Sequence, residues 1–494
     1  MSKKNLLFYI ILLGLVLRLA GITHGFPFIL HPDEPTIVRS ALGTRFYANP
    51  HHFDWPHLYV YVNYFMYMVF AKLRTIYIDF GALDFMKQWV PLLLDDSVVF
   101  YFLSRVLTAI LGALSAIPVY LTGRKLLDNQ AGIFAALAIT ILPFAVHHAH
   151  YALPDVPMVF LLAWGLYFTS RIVYDEDLKN YLLAGFFIGL SASTKYNGGL
   201  GCVSVALVHL VKYKNPLKKI HLLVLSGLAC VVGFVVGTPY SILDFDTFSR
   251  TDGPAGAFWQ FANVGSVGGV DYLKNLAHVL FSQLPENFGY TIFIIYALFV
   301  LYTALKLFKK RMVSSDVYLI IPMIVSIFMI LYLARFKILR SQYFMITYPF
   351  VCVTFGIGLS SLINWMGKKR ELLIQLFAIA VFVVPLVLAA LDSLKFTQGD
   401  TRQLVYYWIQ KNVPPGQPVF YRDSSFGPVA ARISEPVHKG MGKVTGYHSG
   451  YMVVYDDGEF NLRELPTNVK PTLVLDIDNS FKLGPPLIVY KYTL

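Results

Sequence analysis

Two carboxylates stand side by side in HPDEP, residues 31–35, just after the first apolar run, and a third, Asp155, stands in HHAHYALPDVP, residues 147–157. A carboxylate within reach of a hydroxyl can take its proton while the oxygen attacks an electrophilic carbon. Asp33, Glu34 and Asp155 are therefore the candidate acid–base groups. Each also has an ordinary role: a proline-flanked turn for Asp33 and Glu34, and for Asp155 the N-cap of a span beginning at Pro157. Lys195 interrupts two short apolar segments, where a lysine at mid-bilayer costs about 2.5–3.5 kcal/mol. It is expected in a polar cavity or snorkelling to the surface. Arg335 and Arg340 bracket FKIL, residues 336–339, and such fixed positive charge suits a phosphate, on a substrate or on a lipid headgroup. His31, His147, His148 and His150 stand near the acids, but their spacing matches no metal motif, and interfacial hydrogen bonding is the plainer role. Arg18 and Arg105 lie inside apolar runs, where pairing with an acid is expected.

The elements that must position these groups are membrane spans. Of 494 residues, 56% are hydrophobic and 14% charged, against roughly a quarter charged in ordinary soluble domains. The net charge of +12 falls in short runs between apolar segments, as topology signals do, so nucleic acid is excluded as a partner. Cys202, Cys230 and Cys352 sit in apolar runs without CxxC spacing and read as core-filling residues. The N-terminal MSKKNLLFYIILLGLVLRLAG lacks an A-x-A cleavage site and carries Arg18, so it reads as a retained span.

Apolar runs long enough for a bilayer fall near 5–23, 98–121, 131–149, 154–172, 181–194, 199–212, 220–239, 288–306, 316–334, 343–363 and 372–391, about eleven transmembrane helices in all. The basic stretches MSKK, GRKLL (123–127), KYKNPLKK (212–219), KLFKKR (306–311) and GKKR (367–370) then share one side, the cytoplasm. The N-terminus is expected inside. Loops 24–97 and 240–287, Asp155, Lys195, Arg335, Arg340 and the tail are expected outside. Residues 58–73, apolar and rich in tyrosine, read as an interfacial helix. The stretch 253–270 is glycine-rich enough for a mobile loop. From residue 392 the composition changes: TRQLVYYWIQKN reads as an amphipathic helix, VPPGQ as a turn, and PVFYRD, PTLVLDI and PLIVYKY as strands. The predicted organisation is an α-helical polytopic module over 1–391 and a small soluble extracytoplasmic α/β domain over 392–494.

Together, HPDE after the first span, HHAHYALPDVPMVF, GLSASTKYNGG, RSQYFMITYPF and DTRQLVYYWIQKNVPPG resemble the GT-C superfamily of membrane glycosyltransferases. The resemblance is to the branch of protein O-mannosyltransferases and the lipid A aminoarabinose transferase, and it covers most of the chain. It implies transfer of a sugar from a polyprenyl-phosphate donor to a lipid, glycan or protein hydroxyl at the outer face of the plasma membrane. Asp33 matches the catalytic acid, Glu34 its neighbour and Asp155 the second acid, with Lys195 and Arg340 matching less closely. Loop 240–287 lacks a sugar-binding repeat domain, which departs from the mannosyltransferase pattern.

Such a reaction inverts the anomeric centre, with Asp33 as base. The phosphodiester leaves without protonation, aided by Lys195, Arg340 and Arg335. No cofactor is required, a divalent ion held by Asp33 and Asp155 being the alternative. Two other classes fit less well. A transporter or flippase of lipid-linked glycans would show broken spans in inverted repeats, and only the 181–212 pair is broken. A non-catalytic glycan-binding subunit would carry an equally good acid pair.

Overall fold

The computed structural model describes residues 3–175, 177–213, 215, 217–309, 316–366, 371–441, 444–455 and 468–493. The basic stretch 367–370, and parts of those at 1–4, 212–219 and 306–311, lie outside the described residues. Two compact units form: one from Met1–Leu19, Ile37–Pro91 and Leu103–Ala390, the other from Ala20–Thr36, Leu92–Phe102 and Leu391–Leu494.

The first unit is helical. Among the described residues six helices are long and apolar enough to cross a membrane, at Val99–Leu126, Asp155–Tyr174, Ile220–Gly237, Tyr290–Phe308, Ser341–Met366 and Leu376–Thr397. Shorter apolar helices stand at Asn5–Leu19, Asn129–Ile141, Leu178–Ala192 and Val317–Leu333. The chain is a multi-pass membrane protein. Several expected spans are interrupted, each for a local reason. Run 131–149 breaks at Leu142, whose extended ψ of 118° precedes Pro143 at the first position of the short helix Pro143–His148. The proline ring disfavours helical backbone in the residue before it. Residues 58–73 lie in a helix spanning Leu58–Asp79, which is not among the six.

Close helix packing follows the small residues. A Cβ on Gly185 would stand 2.0 Å from the carbonyl oxygen of Ser226, and one on Gly189 2.0 Å from that of Cys230. Helix Leu178–Ala192 can therefore approach Ile220–Gly237 only through glycines four apart, the small-xxx-small pattern of membrane helix pairs. Arg18 departs from expectation. It is fully buried, yet its guanidinium donates to carbonyls rather than to an acid: Nη1 to Thr140 O at 2.8 Å and Gly14 O at 3.2 Å, Nη2 to Ile139 O at 3.3 Å. Helix Asn129–Ile141 ends there, and its last carbonyls have no intrahelical partner and carry the negative end of the dipole. Arg105 is also buried. The cysteines are free thiols.

The second unit holds a five-stranded sheet, β1 Val419–Tyr421, β2 Val437–Lys439, β3 Ser449–Tyr455, β4 Lys470–Ile477 and β5 Leu487–Thr493, in the order β2-β1-β3-β5-β4. β1 pairs in parallel with β2 and β3, whereas β5 is antiparallel to β3 and β4. Helix Thr401–Asn412, capped by Asp400, sets Val405 and Ile409 into the core with Val419, Val453 and Val489. Phe28 and Leu30 join the same core, so the segment leading into Asp33 belongs to this unit.

Candidate active site

Asp155 opens helix Asp155–Tyr174, but it is not the cap. Pro154 holds the N-cap position without a side-chain bond, and the Asp155 carboxylate, 4% exposed, is used elsewhere. Its Oδ1 accepts from Lys195 Nζ, and its Oδ2 lies 3.3 Å from His148 Nε2. A negative charge in the first turn is also favoured by the helix dipole. His148 reaches it because the break at Leu142 redirects the chain into Pro143–His148.

Lys195 is delivered by a tight turn. After helix Leu178–Ala192 the chain becomes extended at Lys195, with φ −152° and ψ 129°, before the 3-10 turn Tyr196–Gly201. The Gly198 N–H donates to the Lys195 carbonyl at 2.9 Å. A Cβ on Gly198 would sit 2.4 Å from Ser191 Oγ and 2.7 Å from the Ser191 carbonyl carbon, so the turn closes only around glycine. Ser191 Oγ in turn donates to Met158 O at 3.0 Å, tying this turn to the helix that carries Asp155. The Lys195 ammonium also stands 5.6 Å from the ring centre of Tyr343, within cation–π range.

Tyr343 lies on the 3-10 turn Ser341–Thr347, whose N-cap is Arg340. Arg335 and Arg340 are both exposed, and neither has an acidic partner among the described residues. Their loop is held from outside. Val267 N–H donates to Arg335 O at 2.8 Å, and Asn275 Nδ2 donates to Ala334 O at 3.2 Å and to Phe336 O at 3.0 Å. The glycine-rich stretch read as a mobile loop thus contains helix Ala257–Asn263 and a bridge from Ser266 to Phe336. Backbone hydrogen bonds that the sequence does not announce fix it there.

Three polar groups escaped sequence reasoning. Gln283 Oε1, Asn287 Nδ2 and the Tyr348 hydroxyl are buried without a hydrogen-bond partner among the described residues. Gln283 Nε2 donates to Ser341 Oγ at 3.2 Å, and the Tyr348 ring packs on Phe288, centroids 5.2 Å apart. Polar residues inside SQLPENFGY, residues 282–290, were the available signal. His150 Nδ1 donates to Val146 O, 2.9 Å away. Among the described residues no group of three or more His, Cys, Asp and Glu is placed to hold a metal.

Loop 49–58 is laced to the Lys195 turn. Tyr196 OH donates to Phe53 O at 2.7 Å and Leu58 N–H to Ser193 O at 3.0 Å. His57 N–H donates to Thr238 Oγ1 at 3.1 Å. Burial, opposed in part by a hydrogen bond to the His52 carbonyl, pulls the His57 pKa down from 6.5 to about 4. The folded state then binds fewer protons than the unfolded state between those values. Stability from neutral His57 is complete above pH 6.5 and is lost as pH falls towards 4, on the order of 3 kcal/mol. The unfolding temperature in detergent is expected to drop across that window, and to drop less in His57→Gln. Equal pH profiles for the two proteins would refute the assignment.

Asp33 and Glu34 are placed by the second unit. Asp33 is half-buried, with its N–H donating to His31 Nδ1 at 3.2 Å. Glu34 is fully buried and opens helix Glu34–Gly43. Behind them, Gln403 Nε2 donates to Phe26 O at 2.8 Å, Arg402 Nη1 donates to Leu30 O at 3.3 Å, and Tyr406 packs edge-on against Phe28. Of the sequence-predicted residues, the structure brings Asp155 and Lys195 into contact, and adds His148 and Tyr343.

Residues 100–237, which carry Asp155 and Lys195, match the family model described as dolichyl-phosphate-mannose-protein mannosyltransferase. The structure is similar to ArnT from Cupriavidus metallidurans in the apo state, with TM-score 0.56 and 15% identity, covering 99% of this chain and 98% of that one. ArnT bound to undecaprenyl phosphate gives TM-score 0.55 and 13% identity, covering 99% and 97%. The apo oligosaccharyltransferase of Archaeoglobus fulgidus gives TM-score 0.52 and 14% identity, covering 92% of this chain and 69% of that one. A search of curated proteins by sequence gave no match. The chain shares the fold of ArnT and of the archaeal oligosaccharyltransferase, together with the small strand-containing C-terminal domain expected from its sequence.

Proposed function

We propose that this protein is a glycosyltransferase that moves a sugar from a polyprenyl-phosphate donor to a hydroxyl of a lipid, glycan or protein acceptor, with inversion, at the outer face of the membrane. The observation that carries the proposal is the pair of buried Asp155 with half-buried Lys195 at a helix N-terminus, in a chain that superposes on ArnT along nearly its whole length. The ArnT structure with undecaprenyl phosphate supports a lipid-phosphate donor. In this reading the N-terminus is cytoplasmic and Asp33, Asp155 and the C-terminal unit are outside. Asp33 takes the acceptor proton, and Glu34 orients it.

Lys195 has three N–H donors, and its bond to Asp155 uses one. The other two, with Arg340 and Arg335, are available to the donor phosphate as negative charge grows on it. Gln283, Asn287 and Tyr348 offer unpaired polar atoms for sugar hydroxyls. No step in this reading needs a cofactor.

Purified protein, given polyprenyl-phosphate sugars and a hydroxyl acceptor in detergent, should release polyprenyl phosphate only when acceptor is present. Donor binding without turnover across a panel of sugars and acceptors would instead favour a non-catalytic glycan-binding subunit. Within that assay Arg340→Ala should raise the donor requirement and slow turnover, an effect on the order of 2–4 kcal/mol in total. Arg340→Lys should recover only part, because one ammonium cannot make a bidentate contact with two oxygens. Unchanged kinetics in Arg340→Ala would return this residue to a headgroup role.

A further inference from the structure

Ser40, His52 and Asp54 form a hydrogen-bonded series in the outer loop of the first unit. Ser40 Oγ lies 2.8 Å from His52 Nε2, and His52 Nδ1 meets Asp54 Oδ1. An ionised carboxylate only accepts, so Nδ1 carries the proton towards Asp54. In the neutral ring Nε2 is then a bare acceptor, and the Ser40 hydroxyl donates to it. A serine inside a helix commonly bonds back to its own preceding turn. Ser40, within Glu34–Gly43, turns its hydroxyl to the histidine instead. The residue before His52 has an uncommon left-handed backbone, His51 at φ 57°. Its N–H is held by Asn49 Oδ1 at 3.0 Å, while Asn49 Nδ2 donates to Asp244 at 2.6 Å. The His52 carbonyl is held by His57 Nε2 at 2.8 Å. The imidazole is thus fixed from both sides, and yet it is open: the side chains of His52 and Asp54 are each 28% exposed, and Ser40 is half-buried.

We propose that Ser40 is an activated serine nucleophile, with His52 as its base and Asp54 as the residue that orients the imidazole, and that it accepts acyl groups from carboxylic esters. The nucleophile–base–orienter arrangement is recognised by geometry rather than by chain order. Ser40 Oγ attacks the ester carbonyl carbon as its proton passes to His52 Nε2. The carbonyl carbon's bond to the alcohol oxygen then breaks, and His52 returns the proton to that leaving oxygen. Water, deprotonated by His52, attacks the acyl-serine in turn, which releases a carboxylic acid and restores Ser40. The site shares no residue with the Asp155–Lys195 centre, so labelling at Ser40 is read separately from sugar transfer.

The test uses a fluorophosphonate probe, whose phosphorus bonds to Ser40 Oγ with loss of fluoride, on the purified full-length protein in detergent. Peptide mass spectrometry is expected to map the adduct to Ser40, with no adduct at that peptide in Ser40→Ala. Labelling should slow by about a hundredfold or more in His52→Gln, the lower end of general-base effects, and by at least about tenfold in Asp54→Asn, where the base remains but is no longer oriented. A wild-type protein unlabelled at Ser40, or equal rates in wild type and His52→Gln, would overturn the proposal. Because a probe can be excluded by size, a second measurement follows alkylation of Ser40→Cys by iodoacetamide, read at the residue-40 peptide. His52 should speed that alkylation relative to the Ser40→Cys, His52→Gln double variant. Equal rates would reduce the three residues to a tie that stiffens the loop.

Discussion

Asp33→Asn should lose sugar transfer by about 10²–10⁴-fold while remaining folded. Amide and carboxylate have nearly the same shape, but only the carboxylate can take the proton of an attacking hydroxyl. The surroundings make the substitution structurally mild: Asp33 is half-buried, and its hydrogen bond to His31 uses the backbone N–H rather than the carboxylate. Glu34 differs, being fully buried in the first turn of its helix. Glu34→Gln should therefore cost more stability than Asp33→Asn and less activity. Turnover with saturating polyprenyl-phosphate sugar, alongside thermal unfolding of each variant, separates the two effects. Wild-type turnover in Asp33→Asn would remove Asp33 as the base.

Asp155→Asn should be damaging in two ways. The pair with Lys195 is buried on the acid's side, at 4% exposure, whereas the lysine keeps 24%. Removing one member of such a pair strands the other charge, which costs about 3–5 kcal/mol when both are buried. The partial exposure of Lys195 lets water recover some of this, so about 3 kcal/mol is expected. Lys195→Met alone should cost a similar amount, and the double variant Asp155→Asn, Lys195→Met less than the sum, because no charge is left stranded. Activity should not recover with stability, since the donor phosphate would lose its ammonium. A thermal-unfolding double-mutant cycle with additive effects would show that the pair is not coupled. Recovery of turnover in the double variant would show that Lys195 serves only Asp155.

Much of the fold was legible in the chain because membrane spans depend on local composition. A run without charge must be helical in hydrocarbon, where every backbone group needs an internal partner. The interruptions were less legible. Pro143 and Pro322 signal the breaks at Leu142 and Ile320, but a long apolar run masks them. In the C-terminal unit, β1, β4 and β5 were readable from β-branched runs after turn residues, whereas β3 was not. Its inner five residues, Gly450 to Val454, are all buried, so it lacks the alternation that marks a strand with one solvated face.

The sequence by itself determined the membrane class and singled out Asp33, Glu34, Asp155, Lys195 and Arg340 as candidates, because charge within an apolar chain persists only where structure accommodates it; the GT-C reading came from its resemblance to that superfamily. Tertiary structure alone decided who partners whom. Arg18 meets carbonyls more than a hundred residues away instead of an acid. Asp155 spends its carboxylate on Lys195, forty residues on, instead of on its own helix end. Ser40 finds a histidine twelve residues along through a loop whose shape depends on Asn49 and Asp244. Each of these contacts is set by how helices and loops pack in three dimensions, and spacing along one chain does not encode it in any local pattern.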